Sequence, residues 1–343
     1  MNVSAAVMTH PTRLRAARRL CVALSPIEAR PAVDPEPDAK PGAMRSARLA
    51  WAAAEPHATH HLVVQDDVEP AAGFAAAVAA GVAQHPDAAL SFFAEWGSRT
   101  AALVRLAAMA GASWVPMINP YVPTQALVLP APLASDLAAF LRAETADDEP
   151  DDEAILRFLE RRGTRMLVSV PNVVEHLDLP SLTGNEDHGV RRAACLLDGS
   201  ALGSRVLDPP PLLPFLAWVD ATATTVNTTT FARFPTLDVL TARGLDADRI
   251  VAACEPVFAG LSDPAVLRAD IGTGYLTELW VTAVATGVLG PASDLDTPIV
   301  RAALRTMAPG ALRTHVDFGA LDRHADDLAA LVTAGVRYGH ETR

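Results

Sequence analysis

Short apolar runs and helix-spaced apolar positions alternate along the first half of the chain. Residues 3–8 form one such run, closed by His10-Pro11, and predict a strand; residues 12–20 carry helical spacing with arginines on one face. Residues 19–24 read as a second strand, followed by a Pro-rich loop over 31–37 and a helix over 43–54, just after Lys40-Pro41-Gly42. A strand is expected at 61–65, with the acidic stretch Asp66-Asp67-Val68-Glu69-Pro70 at its carboxyl end. A helix over 71–84 and a strand over 88–93 follow. Further strands are predicted at 114–118, 126–129 and 166–170. Between the last two lie a helix at 131–144 and an acidic loop at 147–153 that opens a helix at 154–162. This alternation predicts an α/β fold, a mostly parallel Rossmann-like sheet with helices on both faces. In such sheets ligands bind beyond the carboxyl ends of the strands.

The texture changes after about residue 200. Asp208-Pro209-Pro210-Pro211 is stiff and extended, which suits a linker. The Thr-rich segment 222–230 reads as strand or loop, and beyond Thr230 helical spacing takes over at 246–258, 274–289, 297–307 and 321–336. These shifts predict a catalytic domain over 1–205 and a mainly helical accessory domain over 212–343. Residues 274–284 are apolar nearly all round, so they are expected in a helical core or in a self-association interface, which would make the chain a homo-oligomer.

Composition narrows the function. The chain has 343 residues, 50% hydrophobic and 20% charged, enough to bury the cores of two domains. Its formal net charge of −12 repels a phosphate backbone, and the densest basic run is only Arg13, Arg15, Arg18 and Arg19, so nucleic acid is not an expected partner. A nucleotide sugar remains compatible, because a divalent cation offsets the diphosphate charge. The first residues lack a basic leader followed by an apolar core, and residues 276–289 include Glu278 and fall short of the ~20 apolar residues that a membrane span needs. Neither a signal peptide nor a membrane span is expected. Cys21, Cys195 and Cys254 are odd in number and widely spaced, which suits reduced thiols and a cytoplasmic location.

The chemistry concentrates in two acidic segments. Val63-Val64-Gln65-Asp66-Asp67 puts two carboxylates at a strand end, where a hard cation could bridge them to phosphate oxygens and stabilise a departing diphosphate. Downstream, Asp151-Asp152-Glu153-Ala154-Ile155-Leu156 opens a helix. The helix dipole favours an ionised carboxylate there, whereas nearby acids and partial burial raise its pKa, which suits a base that deprotonates a hydroxyl. In this order the segments resemble the metal motif and the acidic base helix of metal-dependent GT-A glycosyltransferases, a likeness that runs over roughly residues 3–195. The resemblance implies Asp67 and Asp66 as ligands of Mn²⁺ or Mg²⁺, with Gln65 where the family usually has an acid, and Asp152 as the catalytic base. It implies Thr9, His10, Arg13 and Asp34 around the nucleobase and ribose, Gly42 and Arg48 in the turn and helix before the metal strand, and Asp66 beside the donor. Pro123-Thr124-Gln125-Ala126-Leu127-Val128-Leu129 resembles the acceptor-side segment. In Pro171-Asn172-Val173-Val174-Glu175-His176, His176 would complete the metal shell or touch the diphosphate, with His188 as second choice.

The implied function is transfer of a sugar from a nucleotide-sugar donor, such as a UDP-sugar, to a hydroxyl of a small molecule, glycan or peptide; a base at Asp152 favours inversion. Two other readings stay open. A sugar-nucleotidyltransferase usually has a Gly-rich loop, and none follows Met8. A catalytically inert GT-A-like protein that binds a partner through its helical half accords with Gln65. His57, His60 and His61 are a weaker metal candidate, because neighbours in an extended segment point to opposite faces. Trp96 and Trp114 could stack on a sugar, although packing is the commoner fate of Trp.

Overall fold

A computed structural model describes residues 2–40, 42–180, 182, 186–199 and 201–343. Its strands are β1 (Val3–Thr9), β2 (Glu28–Val33), β3 (His60–Gln65), β4 (Val68–Pro70), β5 (Ala89–Ser91), β6 (Trp114–Pro116), β7 (Ala126–Pro130), β8 (Met166–Ser169), β9 (Val174–His176), β10 (Leu212–Ala217), β11 (Thr222–Asn227) and β12 (Arg233–Pro235). The first six α-helices are α1 (Leu14–Ala23), α2 (Met44–Trp51), α3 (Phe74–Gln84), α4 (Arg99–Ala110), α5 (Ala131–Glu144) and α6 (Asp151–Arg161). The chain forms two compact units. The first holds Met1–Ala94, Asn119–Asp187 and Leu196–Val206; the second holds Glu95–Ile118, His188–Cys195 and Leu207–Arg343. Thus 95–118 and 188–195 fold with the C-terminal residues, which a single boundary near residue 205 does not anticipate.

The first unit is an α/β assembly. Its main sheet has the strand order β2-β1-β3-β7-β5-β8. β1 pairs parallel with β2 and β3, β5 pairs parallel with β8, and β7 runs antiparallel to both β3 and β5. Leu62, Val63 and Val64 are almost fully buried, as is Val7 in β1, which is the continuous apolar pattern of strands covered on both faces. The chain leaves β1 for β2 on one side and then crosses to β3 on the other. The β1/β3 crevice is therefore a topological switch point, where ligands bind in open α/β sheets. β4 and β9 form a separate antiparallel pair with Val68 opposite His176.

Two expectations at the start of the chain are corrected. Residues 19–23 finish α1 instead of forming a strand, with Leu20 buried on its inner face and the buried Leu24 capping its end. The second strand comes later, at β2, and includes Pro31, which lay in the expected loop. β2 is the edge strand, where a residue without an N–H can be tolerated. The acidic helix also starts earlier than expected, at Asp151.

The second unit is largely helical but contains the antiparallel sheet β10-β11-β12; β11 falls in the Thr-rich segment read as strand or loop, and only β12 lies beyond Thr230, where strand signals were expected to fade. The helix Thr273–Leu289 is buried over Leu276 and residues 279–287, as its all-round apolarity requires. It lies against the helix Ala325–Thr342 at glycines: a Cβ on Gly287 would stand 2.1 Å from the Val336 carbonyl, and one on Gly339 2.2 Å from that of Val284. α4, absent from the sequence reading, is buried over residues 100–109. Ser98 caps its start, accepting from the Ala101 amide at 3.1 Å, and Gly111 ends it at φ 65°. Among the described residues no helix is long and apolar enough to cross a membrane.

Candidate active site

Thr9, Asp34 and Asp66 stand at the carboxyl ends of three adjacent parallel strands. Met8 is opposite Gln65 and Thr9 opposite Val33, so the next residues of β3 and β2 lie beside Thr9. The Thr9 hydroxyl donates to Asp66 Oδ2 at 2.5 Å, and the Asp34 amide donates to the Thr9 carbonyl at 2.9 Å. Burial pushes the Asp66 carboxyl up; the Thr9 hydrogen bond opposes this, and the neighbouring Asp67 charge adds to it. Asp34 is held by Arg45 of α2, whose Nε and Nη2 each donate to one carboxylate oxygen at 2.8 Å. That hydrogen-bonded guanidinium holds the Asp34 carboxyl below the usual range.

Asp67 is brought to His176 by the small sheet. Val68 pairs with His176, the Leu177 amide donates to the Asp67 carbonyl at 2.7 Å, and His176 Nε2 lies 3.7 Å from Asp67 Oδ2. The His176 ring rests against Phe93, with centroids 6.3 Å apart. Arg13, at the end of the 3-10 turn Pro11–Arg13, joins both acids: Nη1 is 3.2 Å from Asp66 Oδ1 and 3.6 Å from Asp67 Oδ2. Its Nη2 donates to the Pro180 carbonyl.

The start of α6 lies at the same edge of the sheet. The Gln65 amide donates to the Gln125 carbonyl at 3.1 Å, and Gln65 Nε2 to Thr124 Oγ1 at 2.9 Å. From the same loop, the Val122 amide donates to the Asp152 carbonyl at 3.3 Å. The acidic pair itself is unequal. Asp152 is half-buried and its Oδ1 accepts from the Glu153 amide at 2.9 Å. Asp151 is 6% exposed, its Oδ2 has no hydrogen-bond partner among the described residues, and burial, reinforced by the Asp152 charge, pushes its carboxyl up to about 7. Sequence reasoning chose Asp152 by motif position, whereas Asp151 has the electrostatics of a proton acceptor near neutrality.

The remaining candidates are not all part of this cluster. His10 is half-buried; its Nδ1 lies 2.8 Å from Thr12 Oγ1 and its Nε2 3.4 Å from the Pro37 carbonyl. Gly42 makes room for a close approach, since a Cβ there would lie 2.9 Å from the Asp147 carbonyl. Arg48 is a clamp within the fold: it donates to the carbonyls of Leu141 at 2.8 Å and Thr145 at 2.6 Å, and pairs with Asp147. His188 belongs to the second unit, where its ring faces Trp218 at 5.9 Å. Trp96 and Trp114 are 6% and 0% exposed and pack in the second unit. His60 Nε2 and His61 Nε2 each lie 2.8 Å from a backbone carbonyl, of Pro86 and Ala50 respectively, which accounts for both rings without a metal.

Among the described residues, no three His, Cys, Asp or Glu side chains converge as a metal-ligand group. Asp67 and His176 nevertheless supply an oxygen and a nitrogen 3.7 Å apart, a pair that fits a cation completing its shell with phosphates and water. Comparisons with protein-family models and with curated proteins find no match for this chain.

Proposed function

We propose that the first unit is a glycosyltransferase that uses a nucleotide-diphosphate sugar and a divalent cation. The observation that carries this reading is the gathering of Thr9, Asp66, Asp67 and His176 at the β1/β3 switch point. Asp67 and His176 would hold the cation, with Asp66 beside them. When bound, the cation supplies positive charge against a departing diphosphate. Thr9 and Asp34 lie where the nucleoside would sit.

Asp151 is the proton acceptor in this reading. Its carboxylate takes the proton of the acceptor hydroxyl as that oxygen bonds to the anomeric carbon. The bond from that carbon to the diphosphate oxygen breaks, and its electron pair leaves with the phosphate. Burial keeps Asp151 basic, and the Asp152 charge adds to it by like-charge repulsion.

Thermal denaturation of the intact chain with a panel of nucleoside diphosphates, with and without Mn²⁺, tests the reading. Ligand that binds only the folded protein raises its melting temperature by mass action. One diphosphate should give a shift that Mn²⁺ enlarges. Flat curves across the panel would sink the proposal and favour the inert partner-binding reading, with which the Gln65 side chain's bond to Thr124 also accords.

A further inference from the structure

The acid pair already has a cation of its own. The Arg13 guanidinium stands within 3.2 Å of Asp66 and 3.6 Å of Asp67. Asp67 Oδ2 is therefore shared between Arg13 on one side and His176, at 3.7 Å, on the other. A divalent cation on that same oxygen would meet a like charge at short range. Both cations cannot hold it at full strength.

Arg13 also has somewhere to go. It closes the 3-10 turn that follows β1, at the strand end where a diphosphate would sit, and its planar fork suits phosphate oxygens as well as carboxylates. Besides the two acids, it donates to the Pro180 carbonyl. We propose that Arg13 is an exchangeable cation: it neutralises Asp66 and Asp67 in the arrangement seen here, and passes to the phosphates of a nucleoside diphosphate as a divalent cation takes Asp67. This rests on the donor-binding reading above and adds a coupling to it. Metal and diphosphate each weaken the hold that opposes the other, so they bind with positive cooperativity, and linkage makes the effect reciprocal.

Mn²⁺ binding to the intact chain, measured by calorimetry alone and with saturating UDP or inorganic pyrophosphate, tests the exchange. In the wild type, either phosphate compound should tighten Mn²⁺ by roughly 10-fold or more. Arg13→Met should bind Mn²⁺ alone roughly 10-fold more tightly than the wild type and lose most of that enhancement. A gain of affinity is not what loss of a structural contact produces. Arg13→Lys, which keeps the charge without the fork, should fall between the two and serves if the Met variant does not fold. Asp67→Asn should abolish Mn²⁺ binding in every condition. Mn²⁺ binding that UDP enhances but that is unchanged or weaker in both Arg13 variants would overturn the exchange and leave the donor-binding reading standing. No Mn²⁺ binding to any variant, with or without phosphate, would defeat both.

Discussion

Asp151 and Asp152 are neighbours in sequence, yet only the first is buried with a carboxyl near 7. If Asp151 is the base, Asp151→Asn should slow transfer by about 10²–10⁴ while nucleotide binding survives. In the wild type, kcat/KM should fall as pH drops below about 7. The same group bears on stability. Its folded pKa lies above the unfolded value of 3.8, so its favourable contribution is complete below about 4 and is lost as pH rises through about 7. Asp151→Asn should therefore match the wild type near pH 4 and be more stable at pH 8, by up to about 4 kcal/mol, in urea melts at both pH values. Asp34 works in the opposite sense, its lowered pKa giving stability that disappears in acid. Arg45→Met would leave that carboxylate buried without its partner, at a cost of about 3–5 kcal/mol by denaturant melt. The place of Asp66 and Asp67 at a strand end was legible in the sequence because they close an apolar run. Which of two adjacent acids faces inward depends on helix phase, and the Arg45 anchor depends on how α2 lies across the sheet; neither is written locally.

Elements were legible where burial is one-sided or where strands form continuous apolar runs. α1 was cut short because residues 21–24 are a short apolar run, and such a run fits strand or helix equally. α4 has no polar face to reveal it, and its Arg105 is buried, bonded to the carbonyls of Trp96 at 2.7 Å and Ala303 at 3.1 Å. Helices that approach through glycine leave a different signature, visible only in packing. Gly287→Ala or Gly339→Ala must push a backbone carbonyl away and should cost about 1–3 kcal/mol in thermal or urea unfolding. Gly274→Ala, in the same helix as Gly287, meets nothing within 4 Å and should gain about 0.5–1 kcal/mol. Equal effects at Gly274 and Gly287 would mean that the helix contact is not as described.

Across the whole molecule, the chain passes from one compact unit to the other after residues 94, 118, 187, 195 and 206. The Pro-rich stretch after 207 was visible as a change of composition; the passages after 94, 118 and 195 adjoin short apolar runs, and the one after 187 falls in a polar stretch that reads as an ordinary loop. A fragment of residues 1–206 keeps α4 without its neighbouring helix Pro298–Arg305. It should aggregate or bind a hydrophobic dye strongly, and a soluble fragment with a sharp melt would count against this division of the chain. The bond from Arg105 to the Ala303 carbonyl spans 198 residues. A ribosome adding about 5–20 residues per second leaves α4 outside the tunnel for roughly 10–40 s before that partner exists. During that interval an apolar helix with an uncovered surface is presented to whatever chaperones attend the ribosome, so the demand for a chaperone falls on the nascent chain, well before there is a finished protein to protect.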